Sequence, residues 1–211
     1  MLFYEILDRE RREMLPILKN FKQDFYLAGG TSLALQIGHR KSIDFDFFTS
    51  KSIDTSELFE KSLEIFTPNE VLKIQEEKNT LSLFVNKNIK ISFFKYKYPL
   101  VKKLKEEKSF QLASILDIAA MKLAAIISRS TQKDFVDLYF ILQNHSLEEV
   151  LLVAKEKFKD INDILFLKAM TFFDDIEEDP VEFVSNKKIE FSEIKNFLVQ
   201  AVKKYNFSPQ S

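Results

Sequence analysis

The sequence predicts an α+β protein, with a mixed sheet and flanking helices in its first half followed by a C-terminal helical bundle. Three observations carry this. Short runs of strand composition separated by polar turns are confined to the residues before Pro99; from Phe110 onward apolar positions recur at helical spacing; and all three glycines, Gly29, Gly30 and Gly38, fall within ten residues of one another. The predicted organisation is an α/β domain with an N-terminal helical arm over residues 1–100 and a helical domain over residues 101–211, with the lysine-rich stretch Val101 to Lys108 as the connection.

Taken in order, Leu2, Ile6, Met14, Ile17, Leu18 and Phe21 lie at mainly helical spacing, broken by Pro16, and form the arm. Asp24 to Ala28 reads as a short strand running into Gly29-Gly30, and Thr31 to Gly38 as a helix ended by glycine. From Ile43 to Thr49 acids and apolar residues alternate, as in a strand with one wet face. A helix from about Thr55 to Phe66 precedes three strand-like runs, Val71 to Glu76, Leu81 to Val85 and Ile89 to Lys95, divided by polar turns such as Asn86-Lys87-Asn88. Beyond Phe110 the helical stretches are LASILDIAAMKLAAIISRS, KDFVDLYFILQN and SLEEVLLVAKEKFKD.

Bulk properties narrow the chemistry. At 211 residues and 45% hydrophobic content the chain can bury a sizeable core without staples. It has no cysteine and only two histidines, which excludes thiolate sites and argues against an imidazole cage, so a bound metal would be held by oxygen. The N-terminus mixes acids and bases, and no window approaches the roughly 20 apolar residues of a membrane span, so a cytoplasmic location is expected. A net charge of −1 gives no overall attraction to nucleic acid, which a local basic patch would have to supply.

The glycine cluster can bring backbone close to a ligand, and a helix starting there would offer amides, partial positive charge and the Thr31 and Ser32 hydroxyls to phosphate oxygens. The plainer alternative is a tight turn with Thr31 or Ser32 as helix cap. Downstream, the spacing of Asp44 and Asp46 puts both carboxylates on one face of a strand with Phe45 on the other. Such a pair repels unless a cation sits beside it, and Mg²⁺ carrying a triphosphate is the usual cation. The alternative is a solvated edge strand.

The run GGTSLALQIGHRKSIDFDFF resembles the first two motifs of nucleotidyltransferases of the AbiEii/AbiGii toxin family, within the DNA polymerase beta-like superfamily. Two further family motifs have counterparts in Asp117-Ile-Ala-Ala-Met-Lys122 and in Arg129-Ser-Thr-Gln-Lys133-Asp134-Phe-Val-Asp137. The resemblance spans roughly Phe25 to Leu142. It implies a nucleotidyltransferase-type sheet, with Gly29, Gly30, Thr31 or Ser32, Lys122 and Arg129 binding nucleotide; Arg40, between the glycine turn and the acids, is a further candidate for nucleotide contact by its position. It further implies that Asp44 and Asp46 hold Mg²⁺ or Mn²⁺, and that Lys122, Asp134 and Asp137 join them in catalysis. The implied reaction moves a nucleoside monophosphate from an NTP to an acceptor such as the 3′ end of tRNA, in a toxin of a toxin–antitoxin or phage-defence system with a cognate antitoxin and no membrane partner.

Each helix residue has an ordinary alternative. Lys122 can snorkel to solvent, Asp134 can be a capping partner three residues after Thr131, and Arg129 and Lys133 can pair with the acids. His39-Arg40-Lys41 offers cations to phosphate or is a solvated loop. The cluster Asp174 to Asp179 lacks the glycine and spacing of a calcium loop and reads as a solvated turn. The family pattern also departs at Ser92, where related enzymes often carry a third strand carboxylate. That departure keeps two further functions open, a catalytically silent nucleotide- or metal-binding module and a protein-interaction module on the same fold.

Overall fold

Helix α1 (Arg9–Leu18) starts where Asp8 accepts the Arg11 N–H at 2.9 Å. It continues two residues past Pro16, where the sequence predicts a break. In the last turn proline costs only one intrahelical bond, and burial of Met14, Leu15 and Leu18 outweighs that loss. The structure, a computed structural model, describes residues 1–184 and 186–207; residue 185 and residues 208–211 of the expected helical domain lie outside the described residues. The chain forms two units, Met1–Ser114 and Ile115–Ser211.

The first unit holds a seven-stranded mixed sheet. Its strands are β1 (Tyr26–Ala28), β2 (Phe45–Thr49), β3 (Val71–Glu77), β4 (Thr80–Val85), β5 (Ile89–Lys95), β6 (Lys105–Glu106) and β7 (Gln111–Leu112), in spatial order β3-β4-β5-β2-β1-β7-β6. The β2–β5 and β1–β7 pairs are parallel and the other pairs antiparallel. The two-residue strands β6 and β7 arise inside and just after the lysine-rich stretch, where no run is long enough to show a strand period. They are added to the sheet by Leu27 pairing with Leu112 and by the Ala113 N–H donating to the Leu27 carbonyl at 2.9 Å.

Register sorts the side chains. Leu27, Phe47, Phe93 and Leu81 lie across from one another on one face and are fully buried. Phe21, Phe25 and Phe66 close over them, with Phe21–Phe93 and Phe25–Phe93 centroids 4.9 and 5.0 Å apart. Each such ring contributes roughly 1.5–3 kcal/mol of burial. On the other face the registered row Asp46, Ser92, Ser82, Gln75 is polar. Helix α2 (Gly29–Ile37) leaves β1 directly, and α3 (Thr55–Phe66), capped by Asp54 accepting from the Glu57 N–H, spans the expected residues. At the sheet margin β3 is exposed along nearly its whole length, with a bulge between Lys73 and Gln75.

The second unit is helical: α4 (Ile115–Arg129), α5 (Gln132–Leu142), α6 (Leu147–Lys157), α7 (Asp163–Thr171) and α8 (Phe191–Phe207). Ser146 and Glu149 form a full capping box at the start of α6. Ile118, Leu123, Val136, Val150, Phe166, Met170 and Leu198 build its core. No helix among the described residues is long and apolar enough to cross a membrane.

Candidate active site

In the first unit the glycine turn becomes the first turn of α2, two residues earlier than the sequence pattern suggests, because Gly29 enters at φ +73°, a conformation closed to most residues. Ala28 stands at the N-cap with no side-chain cap. Neither hydroxyl caps the helix. Thr31 is buried and bonds through Oγ1 to the Asp44 carbonyl, with Ser42 Oγ 2.9 Å away, while Ser32 is fully buried. Thr31 therefore fastens the turn to the chain segment that leads into β2.

The turn lies against charge on two sides. A Cβ on Gly29 would stand 3.0 Å from Asp46 Oδ2, and one on Gly30 would stand 2.7 Å from Arg40 Nη2. Glycine at both positions lets an acid and a guanidinium approach the uncapped helix start. Arg40 and His39 are buried, so only Lys41 of that tripeptide behaves as a solvated loop residue. Asp46 occupies β2 opposite Ala28, with Phe45 and Phe47 turned into the core; Asp44 lies one residue ahead of the strand, and both acids are half-buried.

Gly29→Ala combines two costs. The left-handed backbone disfavours alanine by roughly 1–2 kcal/mol, and the new methyl crowds Asp46. We expect its thermal midpoint to fall by several degrees, and the steric part of that fall to vanish in an Asp46→Ala background, a coupling read from a double-mutant cycle.

The donor set suits a hard cation arriving with a triphosphate, since Mg²⁺ takes one or two protein carboxylates and fills its shell with phosphate oxygens and water. Among the described residues no group of three or more His, Cys, Asp or Glu is placed to hold a metal unaided. Two carboxylates, Asp44 and Asp46, are the number that a substrate-completed site would need. Ser92 pairs in register with Asp46 but is buried and lies 3.1 Å from Ser82 Oγ, adding hydroxyls to this row and no third charge.

In the second unit α4 and α5 hold a charged cluster. Lys122 Nζ lies 2.7 Å from Asp134 Oδ1 and 2.5 Å from Asp137 Oδ2, all three side chains being buried. Arg129 reaches Asp134 through Nε at 3.1 Å and Nη2 at 3.2 Å while remaining 60% exposed, and Thr131 Oγ1 donates to Asp134 at 2.8 Å. The anions that a desolvated Lys122 favours are thus present within its own unit, and Arg129 alone of the four offers most of its surface to solvent. Lys133 turns instead to Asp179 at 2.7 Å, in the Asp174 to Asp179 stretch whose other acids are exposed. His145 stands 3.9 Å from Glu149.

Burial alone would raise the Asp134 carboxyl; the Lys122 ammonium and the Arg129 guanidinium outweigh it and hold the group below its ordinary value of 3.8. The folded carboxyl therefore takes up a proton less readily than the unfolded one. Its stabilisation is present above the unfolded value and is lost as pH falls through the lower, folded value. Urea midpoints followed from about pH 5 to about pH 3 should fall in the wild type. They should fall less steeply in Asp134→Asn.

One pair escaped the sequence patterns. Lys157 Nζ in α6 lies 2.8 Å from Asp117 Oδ1 in α4, with neither side chain exposed. The only hint is a lysine beside Val153, Ala154 and Phe158, at a position that helical spacing turns inward.

The chain is similar to known proteins over nearly its whole length. A family model described as nucleotidyl transferase AbiEii toxin, type IV TA system, matches residues 17–204. An uncharacterized protein of Aquifex aeolicus (strain VF5), aq_aa25, is 36% identical over 207 residues, covering 94% of this chain and 97% of its own. Among solved structures, MenT4, the nucleotidyltransferase toxin Rv2826c of Mycobacterium tuberculosis H37Rv, is similar with a TM-score of 0.66 at 15% identity, covering 95% of this chain and 83% of that one. JHP933 of Helicobacter pylori gives 0.59 at 20% identity over 94% and 92%. At these identities the structural likenesses show the fold, a nucleotidyltransferase fold.

Proposed function

The chain belongs to the AbiEii nucleotidyl transferase toxin family, and from that membership we propose that it transfers a nucleoside monophosphate from an NTP to an RNA acceptor. The observation that carries the proposal is the approach of Asp46 to the bare glycine turn, which sets an uncapped helix N-terminus beside a carboxylate. Triphosphate oxygens would take the α2 amides, with the Arg40 guanidinium against Gly30 adding positive charge. Asp44 and Asp46 would hold Mg²⁺ or Mn²⁺, which supplies charge neutralisation at the phosphates and lowers the pKa of the attacking hydroxyl.

The acceptor hydroxyl oxygen forms a bond to the α-phosphorus as the bond from that phosphorus to the bridging β-phosphate oxygen breaks. Pyrophosphate departs with the electron pair, and the hydroxyl proton passes to a carboxylate of the pair or to water. In the second unit Lys122, Asp134 and Asp137 set the charge of α4 and α5, with Arg129 the exposed cation beside them. The family description, a toxin of a type IV TA system, supports a cognate antitoxin as partner; action in the cytoplasm, where NTP and RNA are found, belongs to the same reading.

Ser92 supports one competing reading, a module that binds nucleotide without turnover, because the row beside Asp46 lacks a third acid. The test is incubation with each labelled NTP, Mg²⁺ and total cellular RNA beside Asp44→Ala/Asp46→Ala. Label incorporation that disappears in the variant supports transfer and reveals the acceptor. Triphosphate binding by calorimetry without incorporation supports the silent module.

A further inference from the structure

We propose that the Asp46 face of the sheet carries a base-stacking track for single-stranded nucleic acid, built from Phe48, Phe94, Tyr96 and Tyr98. The proposal rests on the transferase reading only for its purpose, which is to lead an acceptor strand to Asp46. Register places Tyr26, Phe48 and Phe94 side by side on the face that bears Asp46 and Ser92. Phe48–Phe94 centroids are 5.3 Å apart, Phe48–Tyr96 5.7 Å and Tyr96–Tyr98 5.4 Å, so the rings form a continuous ladder.

These rings differ from those on the opposite face. Phe47 and Phe93 are fully buried in the core, whereas Phe48, Phe94, Tyr96 and Tyr98 are all half-buried and keep surface to offer. The ladder also has a direction. The glycine turn follows Ala28, opposite Asp46, whereas the ladder begins at Phe48, opposite Tyr26, on the other side of the acid along the strands. Phe48 is two residues past Asp46 on the same face, about 7 Å along the strand. A triphosphate at the glycine turn and a strand on the ladder would therefore approach Asp46 from opposite sides.

Charge identifies the occupant. From Lys95 to Lys105 the segment KYKYPLVKKLK has five lysines and no acid, in a chain whose net charge is −1. Lys97 sits 4.9 Å over the Tyr98 ring, and Lys97, Lys102 and Lys103 are exposed. Aromatic faces interleaved with lysines match unpaired bases joined by phosphates, since stacking accepts any base while the cations follow the backbone.

The chain has no tryptophan, and two of its six tyrosines, Tyr96 and Tyr98, lie in the ladder, so tyrosine emission contains a signal from it. A titration of the full chain with a labelled uridine dodecamer, without NTP or metal, should quench that emission and raise the label's anisotropy. Tyr96→Ala/Tyr98→Ala should weaken binding tenfold or more, whereas Tyr96→Phe/Tyr98→Phe keeps it within about twofold because the rings remain. Should the alanine pair not fold, Tyr96→Leu/Tyr98→Leu tests the same loss of aromatic faces. Lys97→Ala/Lys103→Ala should reduce the salt slope by about 1.4, at about 0.7 per lysine on a single strand.

Wild-type affinity in folded alanine or leucine variants overturns the track, as does failure of the wild type to bind the dodecamer at low salt. Equally tight binding of a duplex also overturns it, since paired bases cannot stack on rings. The transferase reading fails separately. A wild type that binds the dodecamer but no NTP by calorimetry leaves the track standing without it.

Discussion

Asp46→Ala is expected to lower transfer at least about a thousandfold, on the order of 4 kcal/mol of barrier, while the chain still melts within a few degrees of wild type. The asymmetry follows from placement. Asp46 is half-buried on the wet face of β2 between two fully buried phenylalanines, so the strand keeps its core contacts without the carboxylate. Removing one of two neighbouring negative charges also relieves repulsion with Asp44. Initial rates with the acceptor found in the incorporation assay, beside a calorimetric melt, provide the check. A variant that unfolds would make Asp46 a structural acid, and one that keeps its rate would remove it from the reaction.

Lys157→Met should have the largest effect on stability, about 3–5 kcal/mol in urea unfolding. The substitution removes the ammonium 2.8 Å from a carboxylate in α4 that has no exposure to water. Most of that cost comes from leaving charge on Asp117, so Lys157→Met/Asp117→Asn should recover a large part of it. A double variant no more stable than the single one would show that the lysine stem, packed beside Val153 and Ala154, matters more than its charge.

Much of this was legible in the chain. Period and turn chemistry mark α3 and the hairpin strands β3 to β5, because those runs are long enough to show alternation and are divided by asparagine-rich turns. The glycines and the two aspartates stand out as neighbours in the sequence, and the fold brings Gly29 against Asp46. What stayed hidden depends on distance in sequence. Asp117 and Lys157 are 40 residues apart, and only the docking of α4 on α6 joins them. The resemblance makes Lys122 a nucleotide ligand, yet in the fold its ammonium lies buried against Asp134 and Asp137 on α5. The strands β6 and β7 have too few residues to carry a period at all.

The strand β3 bears on how the protein behaves at high concentration. It closes the sheet with Leu72 and Ile74 exposed and, among the described residues, no strand paired to its outer side, which is the template on which fibres grow. Its defences are the bulge after Lys73, the Lys73–Glu76 ion pair and Glu77. Together they twist the edge and place charge where an added strand would lie. Shelf stability in concentrated solution therefore depends on three charged side chains and one irregular residue rather than on the depth of the core.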